Sequence, residues 1–226
     1  MATDDPTHHQ LSTDPELADW RVLLGRLCTR YTTGDMATGA ELVARVAEVA
    51  DRLDHHPDID LRYPHVSIST VSHDVGRLTA RDRRLAVAVS DVARDLGLRA
   101  VPHDLAVLEI ALDAMGPDAL SPFWAAVLGY APEPDHELAD PAGRSPRLWF
   151  QQLAEPRTGR GRFHLDVTVP HDVAPERVAA ALAAGGRLVT DEYAPSWWVL
   201  ADDEGNEACV CTWQGRGGGD EDGVED

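Results

Sequence analysis

The second half of the sequence repeats one order of predicted elements, and this repeat constrains the fold more than any other feature. A strand, a helix followed by glycine and at least one further strand succeed one another over residues 105–153. The same order returns over residues 163–212, again with a helix that ends at glycine. Two copies of one unit explain this pattern better than one irregular fold. We therefore predict a domain over residues 104–214 that pairs two β-α-β-β-β modules.

The first half has a different pattern, in which two amphipathic helices flank a strand. Thr38–Leu53 and Thr79–Leu96 carry apolar residues at helical spacing, and Gly97 follows the second helix. Between them, Asp60–His73 alternates apolar and polar residues, as a half-buried strand does. We predict a separate α+β domain over residues 16–100.

Acidic residues outnumber basic ones, and the net charge of −19 argues against binding to nucleic acid or to an anionic membrane. Residues 1–15 and the acidic segment 215–226 are polar enough that we predict disorder in both. No apolar run approaches the length of a membrane span, and residues 1–14 lack the pattern of a signal peptide. The three cysteines have no framework spacing. We expect a cytoplasmic protein.

Lysine is absent, since all 20 basic residues are arginine. Schiff-base chemistry on a lysine is therefore excluded. Proton transfer near neutral pH must fall to histidine, to perturbed carboxylates or to cysteine.

Three histidines of the first half stand at the ends of predicted elements. His55 and His56 end a helix before Pro57, and His73 ends the strand 17 residues after His56. A helix end and a strand end can meet at one pocket, where imidazoles share acid, base and positioning roles. A zinc site is the competing interpretation, since three imidazoles suffice for one. Adjacent side chains diverge, however, so His55 and His56 cannot easily face one ion, and we favour acid–base catalysis.

This segment resembles the pterin-4a-carbinolamine dehydratase family over about residues 17–98. The matching residues, with Trp20 upstream, are His55-His56-Pro57, Tyr63, Val66, Ser72-His73-Asp74, Gly76 and Leu78-Thr79. The resemblance implies an antiparallel sheet with helices on one face. It also implies dehydration of a 4a-hydroxytetrahydropterin (4a-carbinolamine) to the quinonoid dihydropterin, by proton transfers that need neither metal nor organic cofactor.

The same resemblance implies roles for individual side chains. His55 and His73 are the acid–base pair, and His56 contacts the pterin. The residues expected to bind substrate, shape the pocket or orient the imidazoles are Asp51, Asp54, Asp82, Trp20, Ser72 and Asp74. We expect a homo-oligomer, either a dimer or a tetramer. Because this fold also serves as a dimerising partner in some proteins, a non-enzymatic interaction module is the alternative.

The second half resembles the glyoxalase-like branch of the vicinal-oxygen-chelate superfamily. The segments that match are Phe123–Tyr130, Leu148–Gln152, Arg162–Asp166, Gly185–Arg187 and Ala201–Glu207. Active members hold a divalent metal by one residue from each of four strands, and the positions in register are Glu109, Gln151, His164 and Cys209. Glu207 is a substitute carboxylate on the same strand as Cys209.

The metal-ligand set that this resemblance implies is weak. Gln151 is a neutral donor, and a Cys209 thiol must first lose its proton. We therefore expect well under one divalent metal to stay with each purified chain and favour a polar pocket for a small molecule. A metal-dependent lyase or dioxygenase in this half is the alternative.

Overall fold

Two separate clusters of buried apolar side chains divide the chain into two units, Met1–Val107 and Leu108–Asp226. The computed structural model describes residues 5–156, 164–212 and 214. The division lies a few residues beyond the predicted boundary, and the predicted acidic segment 215–226 lies outside the described residues. Within the described ranges, none of the helices combines the length and apolar character that a membrane crossing requires.

Alternating apolar and polar residues build a five-stranded antiparallel sheet in the first unit. The strands run in the spatial order β1-β2-β4-β3, and β5 also pairs with β2. On the buried face lie Tyr31, Val66 and Ile68, whereas Arg30 and Ser67 lie on the opposite face. The strand bounds are β1 Arg21–Leu23, β2 Arg26–Thr32, β3 Asp58–Arg62, β4 His65–Thr70 and β5 Arg99–Ala100.

The single strand predicted over Asp60–His73 is wrong, because this segment belongs to a hairpin. Strands β3 and β4 pair antiparallel, with Arg62 opposite His65 and a turn at residues 63–64. Pro64 has no amide hydrogen with which to continue a ladder. The apolar alternation changes phase at this turn, from Leu61 in β3 to Val66 in β4, so the sequence carried a signal for the hairpin.

Two amphipathic helices cover the buried face of this sheet, α2 at Met36–Leu53 and α3 at Ala80–Asp95. Helix α2 contacts β3 and β4, whereas α3 contacts β2 and packs on α2. Helix α2 starts two residues earlier than predicted, because Asp35 caps it by accepting the Thr38 amide hydrogen at 2.8 Å. The α+β architecture with helices on one face is confirmed.

The predicted disorder of residues 1–15 is wrong for the part of this segment that the structure describes. Helix α1 spans His8–Thr13 and begins with a capping box between Thr7 and Gln10. A 3₁₀ turn follows at Pro15–Leu17. Leu11 and Leu17 are buried in the core of the first unit. These two apolar anchors, in an otherwise polar segment, explain why composition alone failed here.

The second unit contains two four-stranded sheets with the same topology. In each sheet, the first strand of a module pairs parallel with its last strand, and the other pairs are antiparallel. The predicted pair of β-α-β-β-β modules is confirmed. The first module comprises β6 Glu109–Ala114, α4 Pro117–Leu128, β7 Ala131–Glu133, β8 Glu137–Ala139 and β9 Arg147–Gln152. The second comprises β10 Leu165–Thr168, α5 Ala174–Ala183, β11 Arg187–Thr190, β12 Trp197–Ala201 and β13 Glu207–Cys211.

The loop between β12 and β13 joins the two modules. Asp202 is fully buried and accepts a hydrogen bond from the Trp124 indole at 3.0 Å. Glu204 accepts the amide hydrogens of Met115 and Gly116 at the start of α4. A carboxylate at a helix N-terminus stabilises that helix. The last loop of the second module therefore holds the helix of the first.

Gly186 lies against the helix of the other module, and we predict that Gly186→Ala destabilises the second unit. An added Cβ would collide with the Phe123 ring and would stand 2.8 Å from the Ala181 carbonyl oxygen. Overpacking of this kind costs about 1–3 kcal/mol of unfolding free energy. Urea unfolding followed by tryptophan fluorescence measures the change. Gly116→Ala is the matched control, because its Cβ would meet only Ala119 at 3.8 Å. Equal stability of both variants would contradict the packing described here.

Candidate functional site

The end of helix α2 turns His55 into the interior of the first unit. Asp54 adopts a left-handed conformation (φ 47°, ψ 45°) after the last helical residue. The His55 amide then donates to the Ala50 carbonyl at 3.1 Å, which closes the helix in the manner of a Schellman motif. The His55 residue is only 6% exposed as a result. Aspartate tolerates this conformation better than most residues do.

The His55 ring contacts a fully buried carboxylate, that of Asp82 in the first turn of α3. One oxygen, Oδ1, lies 2.8 Å from His55 Nε2 and accepts a hydrogen bond from Thr70 Oγ1 at 2.8 Å. The other oxygen, Oδ2, accepts from Ser72 Oγ at 2.7 Å and from the Thr79 amide at 2.8 Å. Both carboxylate oxygens are therefore held by groups from the end of α2, from β4, from the segment after β4 and from the N-cap of α3.

The hydrogen bonds around Asp82 set its charge and the orientation of the imidazole. Burial raises the pKa of Asp82, but hydrogen bonds from Ser72, His55, Thr79 and Thr70 lower it by more, so the net pKa falls below its ordinary value. An ionised carboxylate only accepts hydrogen bonds. His55 Nε2 must therefore carry the hydrogen in this contact, which leaves Nδ1 as the ring atom that can accept a proton.

His56 faces solvent and has its own carboxylate partner. Its Nε2 lies 3.0 Å from Asp51 Oδ1, and both side chains are largely exposed. Asp51 comes from the last turn of α2, and Pro57 favours an extended backbone at His56. The structure therefore separates the two adjacent histidines, one directed inward to Asp82 and one directed outward to Asp51. The two rings diverge, as their adjacency in the sequence led us to expect.

His73 lies in an exposed turn directly after Ser72. Ser72 pairs with Arg77 in an isolated bridge, and Gly76 takes the positive φ of 64° in the turn between them. Because the Ser72 hydroxyl donates to Asp82, a short chain of hydrogen bonds leads from His55 to the residue beside His73. Asp74 follows in the same turn, and its hydrogen bond from Arg81 lowers the pKa of its carboxyl group.

Five of the six residues predicted to bind substrate fall into two groups. Asp51, Asp54 and Asp74 are exposed, whereas Ser72 and Asp82 are fully buried. Ser72 and Asp82 are thus placed to act through His55 rather than on a bound molecule.

The predicted substrate contact of Trp20 is wrong. Its ring is 2% exposed, lies in the core and donates a hydrogen bond to Ser90 Oγ at 2.9 Å. Tyr31 lies in the same buried network, with its hydroxyl 3.3 Å from Ser90 Oγ. A large aromatic side chain that satisfies its indole hydrogen internally is a core residue.

Two residues that complete this site, Thr70 and Thr79, were given no role on the basis of sequence. Thr70 occupies the buried face of β4, at the position where the alternation of Val66 and Ile68 would place another apolar residue. Thr79 is the N-cap of α3 and forms a capping box with Asp82. The spacing of Thr79 and Asp82 is a recognised signature of a helix start, so this signal was available in the sequence.

In the second unit, one group of metal-ligating side chains is assembled. The ligand atoms of His164, Asp166 and Cys209 all lie within 4.8 Å of one another. Over the described residues, no other set of three or more His, Cys, Asp or Glu side chains meets this distance. Of the predicted ligands Glu109, Gln151, His164 and Cys209, with Glu207 as a substitute, only His164 and Cys209 belong to this group, and neither glutamate does.

Asp166, which was not predicted as a ligand, is the third member of this group. It stands opposite Cys209 in the parallel pair of β10 and β13, and His164 Nε2 lies 3.2 Å from its Oδ1. Burial and the neighbouring Asp166 carboxylate raise the pKa of Cys209 to about 12. An imidazole, a carboxylate and a thiol are donor types that zinc takes, so this set fits such an ion once the thiol loses its proton. The sequence signal for Asp166 was its position two residues after His164, on the same strand face.

Family models match both units. Residues 2–92 match the model described as Pterin 4 alpha carbinolamine dehydratase. Residues 109–211 match the model described as Glyoxalase-like domain. Among curated relatives, a protein of Mycobacterium sp. (strain KMS) is 37% identical over 92 residues, which cover 41% of this chain and 95% of the relative. A second relative, from Nocardia farcinica (strain IFM 10152), is 35% identical over 95 residues, which cover 42% of this chain and 100% of the relative. Both names provisionally identify a pterin-4-alpha-carbinolamine dehydratase.

Solved structures align with each unit separately. A transcriptional coactivator/pterin dehydratase from Brucella melitensis covers 40% of this chain and 99% of its own, with 21% identity and a TM-score of 0.36. A glyoxalase/bleomycin resistance protein/dioxygenase family enzyme from Burkholderia phytofirmans PsJN covers 46% of this chain and 95% of its own, with 21% identity and a TM-score of 0.37.

Proposed function

This chain belongs to the pterin-4a-carbinolamine dehydratase family, and we propose that its first unit dehydrates a 4a-hydroxytetrahydropterin to the quinonoid dihydropterin. The observation that carries the proposal is the buried pair of His55 and Asp82, joined through Ser72 to the turn that bears His73. A buried carboxylate that fixes one nitrogen of an imidazole orients the ring for proton transfer through its other nitrogen.

The reaction breaks the C4a–O bond of the substrate and moves two protons. One group gives a proton to the departing hydroxyl, which leaves as water, and another takes the proton from a ring N–H. His55, with Nε2–H directed to Asp82, offers Nδ1 as the acceptor. His73 is exposed to solvent, which suits the donor. Imidazoles titrate near neutral pH and therefore serve both tasks.

The exposed pair of His56 and Asp51 supports a binding role. The two side chains lie beside His55 at the end of α2, and each has more than half of its surface in contact with solvent. A pterin ring carries several N–H and carbonyl groups, for which an imidazole held by a carboxylate is a suitable partner. We assign His56 to substrate contact and Asp51 to holding its ring.

For the second unit, which matches the glyoxalase-like family model, we propose binding of a small molecule. We also propose that the protein acts in the cytoplasm as a homo-oligomer, a dimer or a tetramer. Sedimentation velocity of the full chain measures the assembly, and a monomer at micromolar concentration would contradict it.

Exhaustive chelation tests the proton-transfer chemistry. We predict that the dehydration rate of the full chain stays unchanged after treatment with EDTA and 1,10-phenanthroline, because no step assigned to His55 or His73 uses a metal. The assay follows the ultraviolet absorbance of a synthetic 4a-hydroxytetrahydropterin. A rate that falls on chelation and returns with added zinc or iron would contradict this chemistry.

A further inference from the structure

We infer that His164, Asp166 and Cys209 form a zinc site supplied entirely by the second β-α-β-β-β module. This site is separate from the dehydratase chemistry of the first unit. It also differs from the four-strand ligand set that the resemblance implies, because it excludes Glu109 and Gln151 and includes Asp166.

The three donors are already close enough for one ion. Their ligand atoms lie within 4.8 Å of one another, and His164 Nε2 is 3.2 Å from Asp166 Oδ1. Ligands at about 2.0–2.3 Å from a tetrahedral zinc are roughly 3.3–3.8 Å apart. Small side-chain rotations therefore bring all three donors to one ion, without movement of the strands.

The backbone beneath this group is held by the sheet. Asp166 and Cys209 are direct partners in the parallel pair of β10 and β13, and β13 also pairs with β12 on its other side. The neighbours of Cys209 on β13, Ala208 and Val210, are fully buried in the core. A ligand on the central strand of a packed sheet is positioned more rigidly than one on a loop.

The ligands of this group differ in solvent exposure, from a buried thiol to a half-exposed carboxylate. Cys209 is 7% exposed, whereas the Asp166 side chain is 50% exposed. Three protein ligands with one solvent-facing side leave a fourth position for water or for an exogenous ligand, as in catalytic zinc centres. The site therefore has the form of an open centre rather than a closed structural one.

The donor types select the metal. A thiolate is a soft ligand that favours zinc over magnesium, calcium or manganese. On binding, the Cys209 S–H bond breaks and its proton leaves to solvent, and a zinc–sulfur bond forms. The hydrogen bond between the Cys209 thiol and the Asp166 carboxylate is lost with that proton, so the Asp166 oxygen can bind the ion. One carboxylate and one thiolate together neutralise the two positive charges of the ion.

Metal titration of the full chain tests this site by spectroscopy. The chain, first stripped with chelator, is titrated with Co²⁺ and then with Zn²⁺. We expect one Co²⁺ per chain, a near-ultraviolet charge-transfer band from the Cys209 thiolate, and loss of that band when zinc displaces cobalt. Zinc should also raise the melting temperature of the second unit.

Variants separate this ligand set from the four-strand one. Asp166→Asn and His164→Ala should each weaken cobalt affinity by at least about 100-fold, because even loss of a supporting second partner costs about 10–100-fold. Cys209→Ala should abolish the charge-transfer band. The matched controls Glu109→Gln and Glu207→Gln should bind as wild type does. Asp166→Asn is the decisive variant, because its half-exposed side chain can change without loss of the core; circular dichroism and the metal-free melting temperature check this.

Two results would overturn the inference. One is a folded, full-length chain that binds less than half an equivalent of cobalt at saturating concentration. The other is cobalt binding that survives in Asp166→Asn but is lost in Glu109→Gln. Neither result depends on the dehydratase assay, so failure of this site and failure of the proposed dehydratase function are distinguishable.

Discussion

His73→Ala is expected to slow the turnover of a 4a-hydroxytetrahydropterin by about 100-fold or more, because removal of a general acid or base usually costs 10²–10⁴-fold. His73 lies in an exposed turn, so its loss should leave the fold intact. His55→Ala should lower turnover by a similar factor, since it removes the imidazole that Asp82 orients. Steady-state kinetics with a synthetic substrate measure both effects.

The matched control for these variants is His65→Ala. His65 lies on β4 in the same unit, on the face opposite the core, and takes no part in the site. His56→Ala should mainly raise KM, since His56 is assigned to substrate contact. Wild-type turnover in both His55→Ala and His73→Ala, with folded circular-dichroism spectra, would contradict acid–base catalysis by these side chains.

Asp82→Asn is expected to lower both stability and turnover. Asparagine keeps the shape of the side chain but presents an amide donor to groups that now donate to a carboxylate, among them Ser72, Thr70 and the Thr79 amide. Leaving buried partners unsatisfied costs about 1–3 kcal/mol of unfolding free energy. Urea unfolding of the first unit measures this loss, and the matched control is Asp51→Asn, whose side chain is largely exposed.

The pH dependence of that stability difference has a definite sign. The pKa of Asp82 is lowered by folding from its ordinary value of 3.8. The ionised carboxylate therefore contributes stability above pH 3.8, and this contribution disappears as the pH falls through the lower, folded pKa. The gap between wild type and Asp82→Asn should be constant at neutral pH and should narrow below about pH 3.8. A gap that widens on acidification would contradict an ionised, hydrogen-bonded Asp82.

Kinetics distinguish a positioning role of Asp82 from a purely structural one. If Asp82 orients His55, turnover of the folded Asp82→Asn variant should fall while KM changes little, and the pH profile of turnover should shift. A variant that is merely less stable would keep wild-type turnover at temperatures where it is folded. Asp82→Glu, which retains the carboxylate, should recover part of the turnover lost in Asp82→Asn.

The sequence predicted the paired modules because each copy has the same element order with glycine after its helix. The helices at 117–128 and 174–183 are both followed by glycine, and each precedes a set of strands. The hairpin of β3 and β4 was missed, although its apolar alternation changes phase at Pro64 and proline itself favours a turn. Helix α1 was missed because only one buried residue, Leu11, distinguishes it from a polar segment without structure.

For the site, sequence reasoning identified the histidines and Asp82 but not how their side chains are buried. The His56 side chain points outward and the His55 side chain inward because Asp54 adopts a left-handed conformation. A glycine at this position would have signalled that conformation in the sequence, whereas an aspartate does so less clearly. Trp20 was assigned to the pocket, although a hydrogen bond to Ser90, 70 residues away, holds it in the core. Long-range partners of this kind are not visible in local sequence patterns.

The most direct test of the account is the rate at which the wild-type, full-length chain dehydrates a synthetic 4a-hydroxytetrahydropterin at neutral pH, compared with the spontaneous rate in the same buffer. We predict acceleration in proportion to protein concentration, retained after chelation and absent in a His55→Ala/His73→Ala double variant. Dehydration no faster than the spontaneous rate, with a folded wild-type protein, would contradict the proposed function.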